Sequence, residues 1–193
     1  MRKDLKIRLA ILLGLLISQV SWAQSPSPEK NSSTVATDIT NADIQAALEK
    51  NPSAPINDQA VRVVSINGEY NVGVGIVRRT RTTGQVSGGA VEHNDITEVY
   101  HVITGTGTLV TGGTLEHPKS ADPNSAMVKN AVGPSSLGER IEAGTSRQIG
   151  PGDIVIIPPN TPHWFSAVTS DEIVYLVVRV DPKKVLPAGK TSP

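Results

Sequence analysis

A two-residue hydrophobic period begins near residue 60 and constrains the fold of this chain more than any other feature. Residues 60–66 read A-V-R-V-V-S-I, and residues 70–80 return with a second run rich in valine and isoleucine. Between them stands Asn67-Gly68, a pair that favours the left-handed backbone angles of a tight hairpin turn. Alternation on both sides of such a turn predicts a β-hairpin with one buried face.

Similar short runs continue to residue 180, and turn residues separate nearly all of them. Further strands are predicted at 98–104, 108–110, 147–149, 153–157, 163–168 and 172–180. Only one short helix is predicted, at about residues 41–50, where Thr40 and Asp43 resemble a capping box and Pro52 follows the helix. Many short strands with one minor helix predict an all-β sandwich or barrel.

Residues 111–146 interrupt the strand rhythm. They are rich in glycine, proline and serine and include His117. A connection of this length within a compact domain is often a functional loop or an insertion. We therefore expect a long surface insertion that forms a lid over one mouth of the barrel, with His117 exposed to solvent.

The first 23 residues have the pattern of a secretory signal peptide. Four basic residues precede the apolar run Leu9–Val20, and Ser21-Trp22-Ala23 offers small residues at the two positions that a signal peptidase reads. The apolar run is shorter than the roughly 20 residues of a transmembrane helix. The chain is therefore expected to be cleaved after Ala23, to lack a stable membrane anchor afterwards, and to be periplasmic or secreted.

The remaining chain divides into three parts. Residues 24–40 are polar and rich in proline and serine, which is typical of a disordered linker. Residues 41–185 are predicted to form a single barrel domain that contains the short helix and the insertion. Residues 186–193 are interpreted as a C-terminal tail.

Composition excludes several classes of function. The chain has no cysteine, so disulfides, thiolate nucleophiles and thiolate metal ligands are absent. It has 18 basic and 18 acidic residues, and loss of four basic residues and one acidic residue with residues 1–23 would leave 14 and 17. A mildly acidic protein without a basic patch is not expected to bind nucleic acid.

Two of the four histidines lie in one short stretch, V-E-H-N-D-I-T-E-V-Y-H-V at residues 91–102. In a strand over 98–103, Glu98 and Tyr100 share one face, whereas His101 lies on the other. A turn at Asn94-Asp95 would fold the chain back and let the side chain of His93 approach Glu98. This pattern predicts that His93 and Glu98 converge and that His101 faces away from them.

Two spaced motifs in the chain resemble those of the cupin superfamily, G-x5-H-x-H-x3–4-E-x6-G and G-x5-P-x-G-x2-H-x3-N. The residues at matching positions are His93, Glu98 and Gly105 for the first motif and Gly152, Pro158 and His163 for the second. The resemblance covers roughly residues 60–180 and is nearest to small, exported, single-domain bacterial cupins, which share no single activity. It implies a double-stranded β-helix (jelly-roll) barrel.

Three departures from the cupin pattern matter for the site. Val91 occupies the position of the first histidine, Asn160 that of a glycine, and Ala167 that of the final asparagine. Asn160 is a tolerable replacement, because asparagine accepts left-handed backbone angles. The resemblance therefore implies a metal site of two histidines and one carboxylate, formed by His93, Glu98 and His163. Such a set suits Fe(II), Mn, Ni or Zn and leaves coordination positions open.

Two functions follow from this resemblance. In the first, the protein is a metal-dependent enzyme of oxygenase, lyase or isomerase type that acts on a small organic molecule, with Tyr100 positioning the substrate or relaying a proton. In the second, the barrel has lost its metal and binds a sugar-like or phenolic ligand without catalysis, and the two histidines line the pocket. A purely structural role is a third alternative.

Several other polar residues have simpler interpretations. His101 is interpreted as a packed or interface histidine and Glu92 as a surface charge. The basic run Arg78-Arg79-x-Arg81 closes a strand and is interpreted as a solvated edge, with attraction of an anionic substrate as the alternative. Residues 98–103 and 173–180 are apolar on both faces, so both faces need cover, and a homodimer is expected.

Overall fold

The computed structural model describes residues 36–82 and 89–190. The predicted signal peptide, residues 1–23, and linker residues 24–35 lie outside the described residues. The fold is all-β, as expected, with helix α1 (Asn41–Leu48) and one π-helical turn (Val128–Val132) as the only helices within the described ranges. The strands in these ranges are β1 (Ile56–Ile66), β2 (Tyr70–Thr80), β3 (Ala90–His93), β4 (Thr97–Thr104), β5 (Gly107–Thr111), β6 (Thr114–Leu115), β7 (Lys119–Ser120), β8 (Ser135–Gly138), β9 (Ile141–Glu142), β10 (Thr145–Ile149), β11 (Ile154–Ile157), β12 (His163–Val168), β13 (Glu172–Asp181) and β14 (Gly189–Lys190).

The predicted hairpin is present at β1 and β2. Ile66 pairs with Tyr70, and both Asn67 and Gly68 have positive φ angles, 51° and 72°. The loop also includes Glu69, whose amide donates to the carbonyl of Ile66. The turn therefore lies where the Asn-Gly pair predicted it, with three residues in the connection instead of two.

Two six-stranded antiparallel sheets form the barrel. The first has the order β11-β4-β13-β2-β1-β14 and the second the order β10-β5-β12-β3-β8-β7. Apart from the pairs β1–β2 and β7–β8, neighbours in each sheet are not consecutive in sequence, which is the arrangement expected of a double-stranded β-helix. This topology brings β3, β4, β12 and β13 to the same end of the barrel, where the candidate site lies.

The hydrophobic core lies between the two sheets. The buried residues of its largest cluster are Val77, Tyr100, Val102, Leu109, Ile149, Val155, Ile157, Phe165, Val168, Ile173, Tyr175 and Val177. They come from strands of both sheets and follow the alternation seen in the sequence. Burial of these side chains drives the two sheets together.

Helix α1 packs on the outer face of the first sheet. Thr40 caps it, because the Thr40 hydroxyl accepts from the Asp43 amide and the Asp43 carboxylate accepts from the Thr40 amide. Ala47 of the helix contacts a cluster that includes Ile76 of β2 and Val174 of β13. The helix thus covers part of the apolar outer face of β2 and β13.

The segment 111–146 is more than a surface insertion. It contributes β8, which pairs with β3 along its whole length, from Ala90–Gly138 to His93–Ser135. The C-terminal residues also join the barrel, because Leu186 is buried and β14 pairs with β1. Among residues 36–82 and 89–190, no helix combines the length and apolar character needed to cross a membrane.

Gly105, the last glycine of the first motif, allows a close approach between two backbones. Its φ is 77°, and a Cβ at this position would overlap the carbonyl oxygen of Glu172 and lie 2.8 Å from the Cα of Ile173. Gly112 has a similar φ of 74°, but nothing lies within 4 Å of its would-be Cβ. Position 112 therefore requires only a left-handed backbone angle, whereas position 105 requires both that angle and the absence of a Cβ.

We expect Gly112→Ala to lower the free energy of unfolding by about 1–2 kcal/mol, the cost of a left-handed angle for an L-residue. Gly105→Ala should cost clearly more, since the two backbones must also move apart. Urea unfolding of both variants measures the difference. Equal losses would show that the approach of Glu172 to residue 105 is not limiting.

Candidate metal centre

Three side chains from three strands converge at one end of the barrel. His93 is the last residue of β3, Glu98 the second residue of β4, and His163 the first residue of β12. Their relative exposures are 5%, 1% and 4%, so all three are buried. The turn between β3 and β4 at Asn94-Asp95 brings His93 and Glu98 together, as the sequence predicted.

The ligand atoms of these residues have the spacing of a metal site. Glu98 Oε2 lies 3.6 Å from His93 Nε2 and 3.4 Å from His163 Nε2, and the three atoms lie within 4.8 Å of one another. Two ligands that each lie about 2.1 Å from a zinc-like ion, at angles between octahedral and tetrahedral, are roughly 3.0–3.4 Å apart. The two distances to Glu98 Oε2 therefore lie within about 0.2 Å of that range.

The hydrogen bonds of His93 determine which ring nitrogen carries its proton. His93 Nδ1 lies 2.8 Å from the hydroxyl oxygen of Ser135, and that hydroxyl donates its own hydrogen to the carbonyl of Gly133 at 2.8 Å. The serine oxygen is therefore an acceptor for His93, so Nδ1 carries the hydrogen. Burial lowers the pKa of His93 to about 3. At neutral pH the Nε2 lone pair of His93 is therefore free and directed towards Glu98.

His163 is oriented in the same way by a different partner. Its Nδ1 lies 3.0 Å from the carbonyl oxygen of Thr161, which only accepts hydrogen bonds. Nδ1 is therefore the donor, and in the neutral ring the Nε2 lone pair faces Glu98 Oε2. The two imidazole rings stand at 64° with centroids 5.1 Å apart, so their Nε2 atoms converge without stacking.

Glu98 is a buried and ionised carboxylate. Its Oε1 accepts a hydrogen bond from Arg179 Nε at 2.8 Å, and its Oε2 accepts one from the Tyr100 hydroxyl at 2.8 Å. Burial alone would raise its pKa, but interactions with His93 and with the Arg179 guanidinium hold the pKa well below its usual range. Because His93 is itself neutral near pH 7, Arg179 is the permanent positive charge that keeps Glu98 ionised.

Tyr100 lies beside the site and keeps its proton. Burial, followed by the charge of Glu98, raises the pKa of Tyr100 well above its usual range. The ring packs against Tyr175 at 4.5 Å between centroids and stands edge-on to His163 at 6.3 Å. Tyr100 therefore acts as a fixed donor to Glu98 at the border between the polar end of the barrel and its apolar core.

This donor set fits a divalent cation. Two imidazole lone pairs and one carboxylate oxygen approach one another, and when both rings are neutral neither ring donates to that oxygen, whose hydrogen bond comes from the Tyr100 hydroxyl. Such a cluster of acceptors requires either a proton or a cation at its centre. The low pKa of His93 disfavours a proton on that ring at neutral pH, and two nitrogens with one oxygen suit the transition metals predicted from the sequence.

The remaining histidines and motif positions lie where the patterns predicted. His101 is exposed on the outer face of β4, and His117 is exposed as well. Val91 is paired with His163 in the register of β3 and β12, so an apolar side chain lies beside the site where cupins carry a third histidine. Asn160 has a φ of 56°, the left-handed angle that its place in the motif requires.

The basic run 78–81 is not a uniformly solvated edge. Arg79 Nε donates to the Tyr175 hydroxyl at 3.1 Å, and the guanidinium lies 5.0 Å from the centroid of the Phe165 ring. Only Arg81 matches the solvated interpretation, in an exposed ion pair with Asp171. The inward alternation of β2 places Arg79 against the aromatic core, where it covers Phe165.

Two residues of the site were missed in the sequence. Arg179 lies on the inward face of β13, in the same alternation as Tyr175 and Val177. An arginine in an inward position of an otherwise apolar strand was a usable signal. Ser135 lies in the 111–146 segment, where no periodic pattern marks it, so only the pairing of β8 with β3 places it beside His93.

Comparisons with known proteins agree with this architecture. The family model of the AraC-like ligand binding domain matches residues 140–193, which include His163 and Arg179. The described residues form the two-sheet barrel that the motifs predicted. The chain has the cupin fold. The predicted resemblance to cupins is thereby confirmed for the fold, and no curated protein matches the chain in sequence.

The solved structures that match this chain share little sequence with it. A candidate sugar phosphate isomerase from Acidithiobacillus ferrooxidans is 18% identical over 56% of the chain, with a TM-score of 0.33, and the chain spans 49% of that protein. An RmlC-like cupin from Methanocaldococcus jannaschii is 15% identical, covers 67% of this chain and 84% of its own, and has a TM-score of 0.38. The DMSP lyase DddQ from Ruegeria pomeroyi is 14% identical, with coverages of 76% and 56% and a TM-score of 0.41. These likenesses are too loose to transfer an activity.

The low pKa of His93 predicts that the metal-free protein loses stability on acidification. The unfolded chain binds this proton near pH 6.5, whereas the folded chain binds it only near pH 3. The stabilisation is therefore complete above pH 6.5 and is lost as the pH falls towards 3, by at most about 1.4 kcal/mol per pH unit. Urea unfolding between pH 7 and pH 4.5 in the presence of a chelator should show this slope.

His93→Gln should reduce the slope, and His101→Gln, on the exposed face, should leave it unchanged. An undiminished slope in His93→Gln would mean that another group binds the proton.

Proposed function

We propose that this protein is an exported cupin that binds one divalent metal ion through His93, Glu98 and His163 and acts on a small organic molecule at that site. The observation that carries the proposal is the convergence of three buried ligand atoms, with both imidazoles held by Nδ1 hydrogen bonds so that Nε2 faces inwards. The hydrogen bonds that orient the two rings do not depend on a metal. The ligands are therefore preorganised for an ion.

The residues around the site have distinct tasks in this proposal. A bound Fe, Mn, Ni or Zn ion would supply Lewis-acid or oxygen-activating chemistry. Tyr100 keeps its proton at neutral pH and donates it to Glu98 Oε2, so its hydroxyl oxygen can accept a hydrogen bond from a polar group of a substrate and orient it. Arg179 holds Oε1, and Ser135 and Thr161 hold the two rings. Oxygenase, lyase and isomerase types of reaction are all compatible with these roles.

A non-catalytic binding protein is the second candidate. The match of residues 140–193 to a ligand binding domain favours it, as does Val91 beside His163 in place of a third histidine. In that case the barrel would bind a sugar-like or phenolic molecule without a metal, and the two histidines would serve as hydrogen-bonding groups. Metal content separates the two candidates.

We expect purified protein to contain about one metal ion per chain after reloading with Fe(II), Mn(II), Ni(II) or Zn(II). His93→Ala and His163→Ala should each lose most of it, because each removes one of three protein ligands. His101→Gln is the matched control and should bind like the wild type, since His101 lies on the opposite face of β4. Mass spectrometry of the metal content measures all four proteins.

If the wild type holds sub-stoichiometric metal after reloading, and the content is the same in His93→Ala and His163→Ala, the metal site is contradicted and the binding protein is favoured. Loss of metal in His101→Gln comparable to that in His163→Ala would show that the register of β4 is wrong.

Export is proposed from residues 1–23 alone. The mass of the chain recovered from the periplasm or the medium should correspond to a start at Gln24. An uncleaved chain in the membrane fraction would contradict this proposal.

A homodimer is proposed from an apolar surface at the edge of the first sheet. Ile154 and Ile156 of β11 are 65% and 67% exposed, and Ile103 of the neighbouring β4 is 46% exposed. Helix α1 covers the other part of this sheet and does not reach these residues. Three large exposed apolar side chains on adjacent strands are typical of an interface.

We expect light scattering to give the mass of a dimer and Ile156→Lys to shift it to a monomer, because a charge would be buried at the interface. Ser146→Lys, on the exposed strand β10, is the control. A monomeric wild type, or a dimer that survives Ile156→Lys, would exclude this surface as the interface.

A further inference from the structure

Arg179 links the candidate metal ligand Glu98 to a second carboxylate. The arginine is 2% exposed, its Nε donates to Glu98 Oε1 at 2.8 Å, and its Nη2 donates to Asp58 Oδ2 at 2.6 Å. Burial would lower the pKa of the guanidinium, but Asp58 and Glu98 raise it, so the group stays charged. Both oxygens of Glu98 thus accept a hydrogen bond, Oε1 from Arg179 and Oε2 from Tyr100, and Oε2 is the oxygen that faces the two histidines.

A glycine on the neighbouring strand makes room for this arginine. A Cβ at Gly75 would lie 3.2 Å from Arg179 Nη1 and 2.9 Å from the carbonyl oxygen of Gln59. Glycine inside a strand weakens it and often marks a close approach of another group. Gly75 therefore leaves space beside the buried guanidinium. A Cβ at Gly73, which pairs with Arg179, would only be in ordinary contact with the Arg179 Cβ, at 3.4 Å.

This arrangement is costly for stability. Buried ion pairs often contribute less than well-packed apolar side chains of the same volume, because both charges lose their hydration. Arg179 Nη1 and Asp58 Oδ1 are also buried, and neither has a hydrogen-bond partner among the described residues. The guanidinium is therefore poorly explained as a stabilising element, whereas its hydrogen bond from Nε constrains the orientation of Glu98 and the one from Nη2 ties it to Asp58.

We propose that Arg179 is a positioning residue that makes Glu98 a one-oxygen metal ligand, with Asp58 fixing the guanidinium from the other side. This inference rests on the proposed metal site. Arg179 holds Oε1 away from the two histidines, so the ion is bound through Oε2 alone, which keeps a second lone pair beside its hydrogen bond from Tyr100, and coordination positions stay open for a small molecule. The arrangement selects against Ca²⁺, which prefers many oxygen ligands and often takes both oxygens of one carboxylate.

The experiment compares Co(II) binding to the full protein and to four variants. Competition titration gives the dissociation constant, and the visible d–d absorption of bound Co(II) reports its coordination. Arg179→Gln should raise the dissociation constant about 10–100-fold, the range found when outer partners of metal ligands are removed. It should also change the absorption bands, since Oε1 becomes free to bind the ion.

The other three variants are expected to differ from Arg179→Gln in their Co(II) affinity. Arg179→Lys keeps a charge but cannot bond Glu98 and Asp58 together, so it should restore part of the affinity. Asp58→Asn removes only the outer partner and should weaken binding less than Arg179→Gln. Arg147→Gln, at an exposed arginine of β10, is the matched control and should behave like the wild type.

The outcomes separate the inference from the proposed function. If the wild type binds no Co(II), the metal site and the role of Arg179 are both wrong. If the wild type binds and Arg179→Gln keeps its affinity and its spectrum, even with a lower Tm, Arg179 has only a structural role and the inference is overturned. If Arg179→Gln fails to fold, Arg179→Lys and Asp58→Asn decide in the same way by their affinities and spectra.

Discussion

The buried carboxylate of Glu98 is the interaction on which the functional end of this barrel depends. An ionised group at 1% exposure is unstable in a protein interior unless opposite charge and hydrogen bonds compensate for its lost hydration. Arg179 supplies the charge and Tyr100 supplies a hydrogen bond. The Nε2 atoms of the two imidazoles face Oε2 of the carboxylate. The strands that carry these groups come from both sheets, so the site exists only when the barrel is closed.

The barrel interior is divided along its length. At one end the inward residues are polar or glycine, which leaves space for Glu98, the histidines and the buried guanidinium. Beyond Tyr100 the inward positions are aromatic and aliphatic, with Tyr175 stacked on Phe165 at 5.5 Å and Arg79 over the Phe165 ring. Tyr100 belongs to both regions, since its ring packs on Tyr175 while its hydroxyl reaches Glu98. A rigid apolar half of this kind holds the polar half in a fixed geometry.

The segment 111–146 shows how a stretch without a periodic pattern can still shape a site. It leaves the barrel after β5, passes through a π-helical turn and returns as β8 beside β3. Gly133 and Ser135, which end this excursion, provide the hydrogen-bond chain that orients His93. π-Helical turns are rare in proteins, and those that occur often lie at functional sites. The tautomer of one candidate ligand therefore depends on the first residue of β8 and on the turn before it, which both belong to the segment 111–146.

The local pattern of the sequence determined the strands, the hairpin at Asn67-Gly68, and the faces of β4 on which Glu98 and His101 lie. It did so because alternation and turn chemistry act over a few residues. Motif spacing in addition predicted which three side chains would converge. The tertiary structure alone decided that Arg179 reaches Glu98, that Ser135 orients His93, and that Arg79 covers the aromatic core. These contacts join residues that lie 81, 42 and 96 positions apart, as Arg179–Glu98, His93–Ser135 and Arg79–Tyr175. No local rule relates residues so far apart in the sequence, because only the pairing of whole strands determines which of them become neighbours in space.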